Sequence, residues 1–146
     1  KTGMATVIVA RYYQQMREMS RDEVAQRLAA SPRPDRAAEI ERIRFAYGDL
    51  TDAVIAEQAP FLDWSDGDYD RLKQRILDRW PEVQSVAAEV PTPEALTDLL
   101  QRAGGTADYR ALGLGDDEMT VAEEYGHYVR NRFTAMKLSR VLGLLS

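Results

Sequence analysis

The chain contains no cysteine and a single histidine, His127. Without cysteine there is no disulfide framework, no thiolate nucleophile and no cysteine-based zinc site. One imidazole also leaves little for zinc or catalytic-triad chemistry, which usually draws on histidine more than once. Long apolar runs are missing: no stretch approaches the ~20 residues that a membrane-spanning helix needs, and mean hydropathy is −0.44. Basic charge is in deficit, with 19 Lys and Arg against 24 Asp and Glu and a net charge of −5. A chain of this sign repels a phosphate backbone, so neither nucleic acid nor membrane is an expected partner. The charged, apolar and cleavage-site succession of a secretory signal is absent from the first residues, which makes the cytoplasm the expected compartment.

What is present is an ordinary globular balance. The 146 residues, 45% hydrophobic and 29% charged, suffice for one domain with its own core. Strand patterning is weak, because the β-branched cluster Val7 to Val9 does not alternate. Helical spacing dominates, and the fold expected is all-α, a multi-helix bundle.

The spacing predicts the elements one by one. Met4, Ala5, Val7, Ile8, Val9 and Ala10 are broken only by Thr6, and then Ile8, Tyr12, Met16 and Met19 fall on one stripe. A helix apolar all round must be buried on every side, which is uncommon at a free end. Further chain upstream of Lys1 is therefore expected; a core helix that happens to come first is the other reading. Ser20 with Glu23 forms a capping box for a short helix through Leu28, terminated by Pro32 and Pro34. Asp35 caps the next, with Ile40, Ile43 and Tyr47 as its stripe and Gly48 as its stop. Leu50, Val54 and Ile55 predict another, ending near Pro60. Tyr69, Leu72, Ile76, Trp80, Val83, Val86 and Val90 hold helical spacing through Pro81, which predicts one long helix kinked at the proline. Thr92 and Pro93 open a helix that Gly104 and Gly105 close. Asp108 to Leu112 reads as a single turn, Asp116 or Asp117 as the cap of a helix to about Val129, and Thr134 as the cap of a last helix ending at Gly143.

Three constellations bear on chemistry. The run Asp63-Trp64-Ser65-Asp66-Gly67-Asp68-Tyr69-Asp70 is rich in carboxylates, but with Gly67 in sixth place a calcium loop would need Leu62 and Trp64 as ligands and would end on Lys73. Asp66 and Asp68 are better read as capping a helix start. Glu124 and His127 spell Glu-x-x-His, the pair used by di-iron bundles. One copy is half a site, and only a symmetric homodimer could complete it; packing at a helix interface is the plainer role for His127. Arg130, Asn131, Arg132, Lys137 and Arg140 make a basic end, in which Arg130 and Arg132 are candidate anion contacts. The same charges could instead pair with Asp116, Asp117, Glu118, Glu123 and Glu124.

The order and spacing of several motifs carry a resemblance. They are the run Ile43 to Glu57, Pro91-Thr92-Pro93-Glu94 to Leu100, Ala103-Gly104-Gly105, Ala111-Leu112-Gly113-Leu114 and Val129-Arg130-Asn131-Arg132-Phe133-Thr134. Together, across Lys1 to Leu145, the chain resembles the C-terminal helical domain of bacterial sn-glycerol-1-phosphate dehydrogenases. These enzymes belong to the iron-containing alcohol dehydrogenase and glycerol dehydrogenase superfamily, similar in fold to dehydroquinate synthases. The opening Lys1-Thr2-Gly3 looks like the tail of a His-Gly-x-x-Val/Thr-Gly motif whose histidine is a metal ligand in that family.

The resemblance implies residues 1–146 as a helical C-terminal domain whose N-terminal nucleotide-binding domain is not in this chain. It implies NAD(P) and a divalent zinc, iron or nickel ion for the full-length parent, with no catalytic, cofactor-binding or metal-binding residue of that set within the 146. Lys1, Thr2 and Gly3 would lie nearest the metal, on one wall of the active-site cleft. The isolated chain is then expected to be inactive, and the partners expected are the missing nucleotide-binding domain and a second copy of the chain in a homo-oligomer. A free-standing all-α interaction module without catalytic activity is the alternative.

Overall fold

The computed structural model describes residues 2–145, and among them every regular element is helical. In chain order the α-helices are α1 (Thr2–Glu18), α2 (Arg21–Ala29), α3 (Arg36–Tyr47), α4 (Thr51–Leu62), α5 (Asp66–Asp78), α6 (Trp80–Glu89), α7 (Pro93–Arg102), α8 (Asp116–Tyr125) and α9 (Ala135–Val141). Short 3-10 turns occupy Gly48–Leu50, Arg110–Leu112 and Gly126–Val129. The all-α bundle expected from the spacing is what is found. No helix is long and apolar enough to cross a membrane among the described residues.

The helix starts follow local chemistry. Ser20, Asp35 and Thr92 each accept a hydrogen bond from the backbone N–H three residues on, which satisfies a donor the helix cannot. Two caps differ from expectation. Ser65, not Asp66 or Asp68, is the N-cap of α5, and Asp68 completes a capping box by accepting from the Ser65 N–H at 3.0 Å. Gly115 precedes α8, where the Glu118 carboxylate accepts from its N–H at 2.7 Å.

Two expected helices are each divided. The stretch read as one kinked helix breaks at Arg79, and Pro81 sits in the first turn of α6, where its missing N–H costs nothing. The break turns the Trp80 indole onto α1, so that its N–H donates to the Met19 carbonyl at 3.1 Å. The segment expected as one helix to Val129 is α-helical only to Tyr125 and tightens into a 3-10 turn.

Two groups of helices build the core. α1 packs on α6, α7 and α9, and its stripe Tyr12, Met16 and Met19 is buried with Val24, Leu28, Tyr69, Ile76, Trp80, Leu138 and Leu142. α3 packs on α4 and α8 around Ile43, Leu62 and Tyr128. The start of α1 is not enclosed on every side, since Thr2, Ala5 and Thr6 are exposed while Met4, Val7 and Ala10 are buried. Gly3 sits against α7 so closely that a Cβ there would lie 2.7 Å from the Leu100 side chain. A side chain at Gly3 would require the Leu100 side chain to shift.

Candidate functional site

A buried polar cluster forms where α9 and the turn Gly126–Val129 meet α3 and α4. Its presence follows from the turn: carbonyls at a helix end have no partner within the helix and must find one elsewhere when buried. Gln58 of α4 donates through Nε2 to the Tyr128 carbonyl at 2.8 Å and the Arg130 carbonyl at 3.0 Å. Lys137, 6% exposed, donates through Nζ to the carbonyls of His127 and Arg130, the latter at 2.7 Å. Its ammonium also lies 4.6 Å from the centre of the Phe61 ring.

A second set of bonds locks α3 to α9. Arg140 grips the Glu39 carboxylate with both terminal nitrogens, one of them at 2.7 Å from Oε2. The Tyr128 hydroxyl donates to the same carboxylate at 2.6 Å and accepts from Arg140 at 2.6 Å. Because guanidinium only donates, the 3.1 Å contact between Arg140 and His127 Nε2 makes Nε2 the acceptor and places the ring proton on Nδ1. Arg42 pairs with Glu124 at 2.8 Å and covers the Tyr125 ring. Its Nε is buried with no hydrogen-bond partner among the described residues.

These contacts set the proton affinities. Burial, then the nearby charges of Arg140, Lys137 and Arg42, drives the His127 imidazole down to about 3, so it is neutral at pH 7. Burial, with Arg140 beside it, lowers the Lys137 ammonium to about 8, which leaves it charged at pH 7. Burial raises the Tyr128 phenol to about 12. Among the described residues no carboxylate forms a salt bridge with Lys137, whereas Arg140 and Arg42 each have one. The cluster therefore carries one uncompensated positive charge.

The polar cluster opens into a cleft of about 280 Å³. Its charged side is formed by Lys137, Arg140, Arg42 and Glu39, with His127 and Tyr128. Its apolar lining includes Phe61, Trp64, Phe133 and Pro34.

The sequence candidates are distributed as follows. The side chains of Arg130 and Arg132 are exposed and do not line this cleft; only the Arg130 carbonyl takes part, by accepting from Lys137 and Gln58. Glu124 and His127 each engage an arginine, Arg42 and Arg140 respectively. The carboxylates around Gly67 are taken up by neighbouring cations: Asp63 by Arg36 at 2.9 Å, Asp66 by Arg33 at 2.5 Å, and Asp70 by Lys73 at 3.1 Å. Arg140 pairs with Glu39 and not with the acidic stretch of α8, where Asp116 pairs with Arg110. Thr2 and Gly3 lie at the start of α1 beside α7, and Lys1 is outside the described residues. No group of three or more His, Cys, Asp or Glu side chains converges as a metal ligand set among the described residues.

Glu39 and Gln58 escaped the sequence reading, although a signal exists. Glu39 is four residues before Ile43 on the buried face of α3, and Gln58 continues the stripe Val54, Gln58, Leu62 of α4. A polar residue at an apolar position of a helix stripe marks a buried hydrogen-bonding role.

His127 gives a direct check. As the chain's only histidine it has a single imidazole titration by NMR, and it is expected to stay neutral in the Nδ1–H form down to about pH 4. The unfolded chain binds this proton near 6.5 and the folded chain only near 3. Stability is therefore full above about 6.5 and is lost progressively as pH falls toward 3. A measured midpoint near 6.5 would contradict the burial and contacts described.

The fold and cleft define an all-α bundle with a buried cationic site. A 69-residue stretch, 47% of the chain, is 32% identical to the glycerol-1-phosphate dehydrogenase [NAD(P)+] of Bacillus subtilis (strain 168). The matched stretch covers 18% of that protein's own length. No family profile matches the chain, and no solved structure matches it.

Proposed function

We propose that this chain is the helical part of an NAD(P)-dependent dehydrogenase acting on glycerol-1-phosphate or a close polyol phosphate, with a dehydroquinate-synthase-like arrangement of its helices. The observation that carries the reading is the 69-residue similarity to a dehydrogenase of that activity. The all-α architecture supports it, because a nicotinamide cofactor needs a separate α/β unit with a glycine-rich turn at a helix N-terminus. In this reading Lys1, Thr2 and Gly3 belong to one wall of the active-site cleft.

Among the described residues no group of three or more His, Cys, Asp or Glu comes together. In this reading the ligands of the implied metal would come from the part of the parent that carries the nucleotide-binding domain. When bound, such a metal polarises the substrate oxygen as a Lewis acid.

The test is made on the native polypeptide that contains this sequence. Its intact mass and its formation of NAD(P)H from glycerol-1-phosphate are measured, and the assay is repeated on residues 1–146 alone. Turnover by the longer polypeptide and none by the short chain are the expected results. A native polypeptide confined to these residues, or a longer one with no NAD(P)-linked activity on polyol phosphates, would overturn the reading.

The alternative, an interaction module, is favoured by the exposed apolar side chains Phe45, Leu50, Val86 and Leu99. A native polypeptide confined to these residues and recovered with a stoichiometric protein partner would promote it.

A further inference from the structure

We propose that the cleft between α3, α4 and α9 binds a small carboxylate carrying an apolar body, held by Lys137. This goes beyond the dehydrogenase reading and does not depend on it.

The argument begins with charge. Removing an ammonium from water without a counter-charge is costly, and buried cations are as a rule paired. Arg140 and Arg42 obey that rule through Glu39 and Glu124, and Lys137 does not among the described residues. Two carbonyls and the Phe61 ring solvate its Nζ as dipoles and a quadrupole, yet no negative charge balances it. An ammonium has three donors, and two are used. A ligand that supplied one negative charge and one acceptor would complete the group.

The amount of charge selects the ligand. One uncompensated cation matches a carboxylate, whereas a phosphate monoester brings about two negative charges and would leave one unbalanced beside Glu39. The apolar part of the lining, Phe61, Trp64, Phe133 and Pro34, favours an apolar body, and an aromatic ring packs well on such surfaces. A volume of about 280 Å³ limits the body to a single ring or short chain, since pockets that take drug-sized ligands run from about 300 to 1,000 Å³.

Benzoate is the probe, with benzamide as its uncharged isostere and phenyl phosphate as its more highly charged relative. Each is titrated into the purified chain and followed by NMR. Lys137 is one of three lysines, so the resonance of its Cε is readily assigned. The expected result is saturable movement of the Lys137 Cε and of cleft backbone amides with benzoate, at least about tenfold tighter than with benzamide. Affinity should fall at least about tenfold between about pH 7 and about pH 9.5, as the ammonium loses its proton. The groups facing Lys137 on that titration are Glu39 and Arg42 from α3, Tyr69 from α5, His127 and Tyr128 from the 3-10 turn, and Arg140 from α9. Lys137→Met is expected to abolish the benzoate shifts. If that variant does not fold, the benzamide comparison and the pH dependence on the unaltered chain decide alone. Equal binding of benzoate and benzamide, tighter binding of phenyl phosphate than of benzoate, or no movement of cleft resonances at about 10 mM benzoate would each overturn the proposal.

Discussion

Glu39→Ala is expected to destabilise the chain by about 3–5 kcal/mol, because it leaves the Arg140 guanidinium buried without its counter-charge. The pair is enclosed, with side-chain exposures of 23% for Arg140 and 9% for Glu39. The same substitution strips the Tyr128 hydroxyl of its acceptor. At about 2–4 °C per kcal/mol for a chain of this size, the thermal midpoint should fall by roughly 10 °C or more. Chemical denaturation at pH 7 measures the free energy directly. The double change Glu39→Met with Arg140→Met is expected to recover part of the loss, since a buried pair replaced by apolar side chains is often close to neutral. A single-variant cost under about 1 kcal/mol would show that the pair is solvated and that the cluster does not hold α3 to α9.

Trp80→Ala is expected to cost about 3–5 kcal/mol for a different reason, the cavity left by a large buried side chain. Trp80 is 1% exposed and lies in the larger core cluster with Met16, Met19 and Ile76. Its indole N–H bonds the Met19 carbonyl, but Gln84 donates to that same oxygen at 3.0 Å. Loss of the indole hydrogen bond therefore leaves no orphaned acceptor. Trp80→Phe, which keeps most of the ring volume, is then expected to cost well under half as much as Trp80→Ala. Equal costs for the two variants, measured by urea unfolding, would shift the weight from packing to the hydrogen bond.

The two expectations locate the points at which sequence reading succeeded and failed. The caps Ser20, Asp35 and Thr92 were legible because each needs only a side-chain oxygen and an N–H three residues away. Apolar periodicity continues through Pro81 and so predicts a kink where the chain in fact divides, because a stripe of apolar residues does not record where the backbone turns. The division at Arg79 depends on Trp80 meeting the end of α1, a contact between residues 61 positions apart.

The site shows the same division more sharply. The packed interface expected for His127 is found, with the imidazole buried in the turn that follows α8. Arg130 and Arg132 were selected by local charge density, yet their side chains are exposed, and the deeper cations Lys137 and Arg140 line the cleft. Charge density along a chain says nothing about which side chains the bundle encloses.

By itself, the sequence determined the all-α class, most of the helix starts and the apolar stripe that α1 presents to the core, because propensity, capping and periodicity act over a few neighbouring residues. Only the tertiary structure decided that Glu39 would meet Arg140, 101 residues later, and that Lys137 would be buried without a carboxylate partner among the described residues. Those outcomes depend on which helix faces come together when the chain excludes water, and burial then gives each polar group a cost that its local sequence does not contain.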